Sequence, residues 1–202
     1  MEPNNTVLLS TAYLPPVAWF AAVARSGAAQ VEACESFQKQ SYRNRCNICS
    51  ADGMQTLLVP VLHAGSRLIR DIRIDYSKNW LHLHRSAIAT AYGPSPFYKY
   101  YWDDIDAILE KRHGFLFDLN MELTAKLIEM LHLKASVTLT DDYVPAPEGV
   151  RDLRAAINPK REPSGSPFKE YYQVFNQRLG FIPNLSIIDL LFCEGPESYS
   201  YL

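Results

Sequence analysis

Residues 7 to 24 read VLLSTAYLPPVAWFAAVA, and the reading of this stretch decides the fold. It is apolar enough to resemble the hydrophobic segment of a secretion signal. Glu2 stands before it, however, no Lys or Arg does, and Pro15-Pro16 breaks it in the middle. A signal wants a positive start and an unbroken apolar helix. A strand from Val7 to Leu14, stopped by the prolines, and a helix from Val17 to Arg25, stopped by Gly27, suit the residues better. Gln30 to Phe37 then alternates into a second strand. Strand, turn, helix and strand in that order open a parallel sheet with crossover helices. The expected class is α/β, with an N-terminal, mostly parallel, Rossmann-like βαβ sheet and a helical second half. The chain is expected to be cytoplasmic.

Further on, Tyr42 to Cys49 and Gln55 to Leu62 read as two strands joined by a turn at Ala51-Asp52-Gly53, and Ile69 to Ile74 as a fifth. Trp80, His84, Ile88 and Tyr92 recur every four residues up to Gly93-Pro94, which predicts a helix. Phe97, Tyr101, Ile105 and Ile108 predict a second, and Leu116, Leu119, Leu123, Leu127 and Met130 a third. Asp141 to Pro167 carries five prolines in a polar background and reads as a long loop, with a short helix expected around Asp152 to Ala156. Ser186 is expected to cap a final helix running to Cys193.

Composition narrows the function. With 202 residues the chain fits one domain, expected to span 1–202. Twenty Lys and Arg against 22 Asp and Glu leave a net charge of −2, which argues against a nucleic-acid partner. Only nine glycines occur, and neither a G-x-x-x-x-G-K-[ST] nor a G-x-G-x-x-G is among them, so P-loop and NAD or FAD chemistry has no signature here. No stretch is long and apolar enough for a membrane span. Cys46 and Cys49 have C-x2-C spacing, but two further ligands are missing, and no metal is expected.

The densest polar cluster is QKQSYRNR, residues 38 to 45. On a strand, Arg43 and Arg45 would share one face, and paired guanidiniums suit a phosphate or carboxylate. A charged edge strand is the plain alternative. His84 lies on the apolar face of its predicted helix; it is either a satisfied core histidine or, through its near-neutral pKa, a general acid or base. Asn120 sits at the edge of a buried stripe and needs partners. Asp189 interrupts the apolar IIDLLF run, where capping or surface exposure is the simpler role.

YLPPVAWF, QKQSYRNRCNI, LLVPV, WLHLHRSAIATAY, FLFDLN, YYQVF and PNLSIIDLLF, taken in order over residues 7 to 195, resemble the WbqC-like family, most closely its Bacteroides-type branch. The resemblance implies a place among surface-polysaccharide and O-antigen synthesis proteins, acting on an activated sugar or its acyl modification. Its motif positions fall here on Tyr13, Pro15, Arg43, Asn44, Arg45, Trp80, His84, Asn120, Tyr172, Gln173, Ser186 and Asp189. Where many members have Gln-Pro or His-Gln-Pro, this chain has Ser10-Thr11-Ala12, so a role resting on that glutamine or histidine does not transfer.

Two functions follow as expectations. In the first, a transferase or ligase takes a phosphate-bearing small molecule or nucleotide-sugar. Arg43 and Arg45 grip the anion with Lys39 adding charge, Tyr13, Asn44 and Asn120 line the site, His84 is the acid or base, and Tyr172 and Gln173 close over the donor. In the second, a non-catalytic accessory protein binds a sugar or a partner enzyme through aromatics such as Trp80, Tyr98, Tyr100 and Trp102. A homodimer is compatible with either.

Overall fold

A computed structural model describes residues 6–62, 65–161 and 168–202. β1 (Val7–Ser10) is almost wholly buried, as a strand flanked on both sides must be. The chain leaves the sheet at Thr11, earlier than the prolines require, and turns through Leu14 at a positive φ of 41°. α1 (Val17–Ser26) follows, and Gly27, at φ 69°, ends it by returning its amide to the Val23 carbonyl at 2.9 Å. β2 (Ala28–Glu32) runs parallel to β1, with Ser10 level with Glu32.

The opening βαβ unit is therefore present, but the parallel sheet is not confined to the N-terminal half. Its other strands are β5 (Ser136–Leu139), outside β2, and β6 (Arg151–Asp152), on the far side of β1. All four strands are parallel, in the order β5-β2-β1-β6. The fold is mixed α/β. β6 stands where a short helix is expected at Asp152 to Ala156, because Arg151 and Asp152 find open ladder positions beside Val7 and Leu8.

β3 (Arg45–Ser50) and β4 (Gly53–Leu58) form a separate antiparallel hairpin. Tyr42 to Asn44 is a tight 3-10 turn ahead of it rather than the start of the strand. Ile69 to Ile74 is not a fifth strand: Ile69, Ile72 and Ile74 are all buried, a spacing of three and then two that a 3-10 turn at Ile69–Asp71 satisfies and a strand does not. The three helices read from the repeat appear as α2 (Trp80–Tyr92), α3 (Tyr98–Glu110) and α4 (Leu116–Met130), joined by a short α5 (Asn176–Leu179) and by α6 (Ile187–Glu194).

The last segment clamps the first. The Val17 amide donates to the Leu185 carbonyl at 2.9 Å, the Ile187 amide to the Pro15 carbonyl at 2.8 Å, and the Ser186 hydroxyl to the Leu14 carbonyl at 2.8 Å. Ser186 holds the N-cap position of α6, yet its hydroxyl serves this clamp and not its own helix. Pro16 has no side-chain acceptor for α1, and Asn184 Oδ1 supplies one to the Ala18 amide at 2.9 Å. Gly195 follows at φ 55°, where a Cβ would come within 2.6 Å of the Phe97 ring.

Candidate functional site

Of the motif residues, Tyr13, Arg43, Trp80, His84, Asn120 and Ser186 are buried about the segment that follows β1. Tyr13 is fully enclosed, and burial raises its phenol well above 10, so it stays a donor. It donates to His84 Nδ1 at 3.0 Å. His84 Nε2 lies 3.2 Å from the Leu58 carbonyl, which only accepts, so the imidazole is the neutral Nε2–H tautomer. Burial lowers its pKa from 6.5 to about 4, against the Leu58 carbonyl, which favours the proton. With both nitrogens occupied and 3% of its surface exposed, His84 has no free nitrogen to offer a substrate in this arrangement. Trp80 packs on the same pair, 6.4 Å from Tyr13 and 5.0 Å from His84, and is buried rather than part of an exposed platform.

Arg43 lies in the 3-10 turn, so the strand alternation that would pair it with Arg45 does not apply. Its guanidinium is already gripped. Nε donates to Glu35 Oε1 at 2.8 Å, and Nη2 bonds both Glu35 Oε2 and Ser10 Oγ, the latter at 2.8 Å. Burial raises the Glu35 carboxyl, and the Arg43 hydrogen bond opposes that rise. Asn120, also enclosed, donates to the Arg43 carbonyl at 2.8 Å. Asn44 donates to the Val59 carbonyl at 2.9 Å. Arg45 is half-buried opposite Leu58 in the hairpin, and its Nε has no partner among the described residues. Lys39 is exposed beside Arg67 in a separate surface depression.

A second ion pair lies along the same end of the sheet. Arg154, just beyond β6, reaches Glu32 at the end of β2 at 2.7 Å and also holds Asp152 at 2.7 Å. β6 and β2 flank β1, so this pair spans the carboxyl end of the central strand. Glu32, Glu35 and Arg154 were not picked out from the sequence. The available signal was a buried strand ending in two carboxylates three residues apart, near two arginines.

Asp189 is neither a cap nor exposed. It is fully buried and accepts from Tyr92 at 2.8 Å, Tyr171 at 2.7 Å and Gln173 at 2.8 Å. Burial raises its pKa, and these three donors only partly offset that. Gln173 is thereby tied into the core, while its neighbour Tyr172 lies half-exposed on the surface. His84, Asn120, Arg43, Gln173 and Tyr172 do not converge on one cavity. Cys46, Cys49 and Cys193 are buried free thiols.

A ligand-sized cavity lies elsewhere, along the flank of α1, comparable in size to the depression of about 450 Å3 that Lys39 lines. A groove of about 520 Å3 is floored by Ala18, Ala21 and Ala22 and walled by Leu153, Ile157, Phe168 and Tyr201. Arg25, Arg151, Arg161 and Lys169 line it, and no acidic side chain does among the described residues. Among the described residues Arg151 and Arg161 form no ion pair there, in contrast to the neutralised Arg43 and Arg154.

Over residues 11–164 the sequence matches the profile of the WbqC-like protein family. The chain belongs to this family. The match takes in the Arg43 turn, the His84 and Asn120 helices and β6, and ends before the Tyr171 to Asp189 segment. No curated protein and no solved structure matches this WbqC-like chain. No helix among its described residues is long and apolar enough to cross a membrane.

Proposed function

We propose that this WbqC-like protein, of the family's Bacteroides-type branch, binds a phosphate-bearing activated donor, an activated sugar or acyl group, in surface-polysaccharide or O-antigen synthesis, and serves there as a donor-binding accessory protein. The observation that carries this is the cationic groove along α1: four basic side chains over an alanine floor, with aromatic and aliphatic walls for the rest of the molecule. Two of the four, Arg151 and Arg161, form no ion pair among the described residues, and such guanidiniums are a natural seat for phosphate. The accessory role is supported by the burial of His84, Arg43 and Asn120, whose hydrogen bonds go to the protein itself. We place the protein in the cytoplasm because the proline-broken Val7 to Ala24 stretch does not read as a signal.

A transferase or ligase is the second reading, and the sheet favours it. Numbered among themselves, the four parallel strands stand in the order 3-2-1-4, the arrangement with which Rossmann-like sheets begin. In such sheets ligands gather at the carboxyl end of the first strand, where the order reverses. Leu153 and Ile157 line both the groove and that end of β1.

A thermal-shift and calorimetric panel of nucleotide-sugars, sugar phosphates and inorganic phosphate tests the proposal, since a ligand that binds only the folded state raises the melting temperature. At least one phosphate-bearing compound is expected to bind and to lose affinity in Arg151→Ala and Arg161→Ala. Failure of the whole panel refutes the donor-binding role. Turnover of a bound donor would replace the accessory reading with the enzymatic one.

A further inference from the structure

A small crevice at the carboxyl end of β1 shares two lining residues, Leu153 and Ile157, with the groove. Its other walls include Ser10, Thr11, Trp19 and Arg43. Its volume is about 10 Å3, room for about one oxygen atom with its hydrogen.

The charged groups around it are paired. Arg43 and Glu35 neutralise one another, Ser10 Oγ accepts from Arg43 and donates to Glu35 at 3.2 Å, and Trp19 Nε1 donates to the Ser10 carbonyl at 3.0 Å. Tyr42 also lines the crevice, and Thr11 is the most deeply buried hydroxyl left over. Its side chain is buried, with 1% of the residue exposed, and Oγ1 has no partner among the described residues. A buried hydroxyl left unpaired costs free energy that a matching group would recover.

The match is narrow. A second anion or cation would be stripped of water with no opposite charge to meet it, because the local charges already cancel. An oxygen that both donates and accepts fits, which is to say an alcohol. Resting on the groove as an anion site, we infer that the crevice takes one hydroxyl of the molecule whose phosphate lies in the groove. The ligand class is then a phosphorylated polyol or sugar rather than an acyl phosphate.

The test uses the full chain, titrated calorimetrically with inorganic phosphate, glucose 1-phosphate, galactose 1-phosphate and glycerol 3-phosphate, and repeated with Thr11→Val and Thr11→Ser. At least one organic phosphate is expected to bind about tenfold more tightly than inorganic phosphate. Thr11→Val should abolish that margin while leaving inorganic phosphate unchanged and the melting temperature unchanged or higher. Thr11→Ser, which keeps the hydroxyl, should retain the margin. If all four probes bind alike, or if Thr11→Val keeps the margin, the crevice holds water only and the inference falls while the anion groove stands. If no probe binds, the groove reading fails and takes this inference with it. A Thr11→Val chain that does not fold also overturns it, since folding would then depend on a hydroxyl supposed to be left over.

Discussion

Acidification reads out the state of His84. Its imidazole is neutral in the folded chain, accepting from Tyr13 and donating to Leu58, and titrates at about 4 against an ordinary 6.5. A group whose pKa is depressed by folding contributes its full stability above the unfolded value and loses it as pH falls through the folded one. At ~1.36 kcal/mol per pH unit, the interval from 6.5 to about 4 amounts to about 3 kcal/mol. By pH 5 about 2 kcal/mol of this is already gone.

Other groups titrate nearby, so the measurement is a difference. His84→Gln keeps an amide donor for the Leu58 carbonyl and has nothing to protonate. Urea unfolding of both proteins from pH 7 to pH 5, followed by tryptophan fluorescence, gives the margin of wild type over variant at each pH; Trp80 packs 5.0 Å from the His84 ring and reports on the site. The margin should shrink by about 2 kcal/mol. A margin flat across this range, or a His84 imidazole titrating near 6.5 by nuclear magnetic resonance, would refute the neutral, enclosed imidazole. It would also restore His84 as a candidate acid or base.

Three further perturbations follow from the same geometry. Glu35→Gln strands the Arg43 guanidinium without its counter-charge, and equilibrium unfolding should show a loss of about 3–5 kcal/mol; a loss below ~1 kcal/mol would mean that Arg43 is solvated after all. Asp189→Asn sets an amide against Tyr92, Tyr171 and Gln173 and should cost about 1–3 kcal/mol. Because burial raises the Asp189 carboxyl, its contribution is complete below the unfolded value of 3.8 and declines as pH rises, so this penalty should be largest in acid and shrink toward neutrality. Arg151→Ala and Arg161→Ala should each weaken a bound organic phosphate about tenfold while shifting stability by less than ~0.5 kcal/mol; calorimetry and thermal unfolding separate the two effects.

Much of the fold was legible because short-range patterns carried it. Pro15-Pro16 and Gly27 bracket α1, and the four-residue recurrence from Trp80 and the leucine stripe from Leu116 mark α2 and α4. What escaped is what the sequence does not encode locally. β5 and β6 are four and two residues long and largely exposed, and they exist because β2 and β1 offer them edges. Ile69 to Ile74 looked alternating, but its isoleucines fall on a turn's spacing. The site was harder still. Arg43 reads as a free cation until Glu35 is brought beside it, and Asp189 reads as a cap until Tyr92, 97 positions earlier, and Tyr171 converge on it. The groove joins Arg25 on α1 to Arg151, Arg161 and Lys169 from a segment more than 120 positions later, and no short window of sequence contains them together.

The burial of the motif residues suggests what they do in this chain. Two ion pairs side by side at the end of a sheet are a poor source of stability, since well-packed apolar residues hold as firmly. Their effect here is positional. Glu35 fixes Arg43, whose Nη2 holds Ser10 and whose carbonyl takes Asn120, while Arg154 ties the end of β6 to the end of β2 across β1. Tyr13 and His84 fix the next turn, and Ser186 closes on Leu14. The segment between Ser10 and Pro16 is thus braced from four directions, although it forms no regular element of its own. With Arg43 and Arg154 held by Glu32, Glu35 and Asp152, that end of the sheet also has no net attraction for an anion. Arg151 and Arg161, without an ion pair among the described residues, put positive charge in the groove beside α1 instead, where on the proposed reading an anionic ligand would lodge its phosphate and turn its uncharged part toward the braced end of β1.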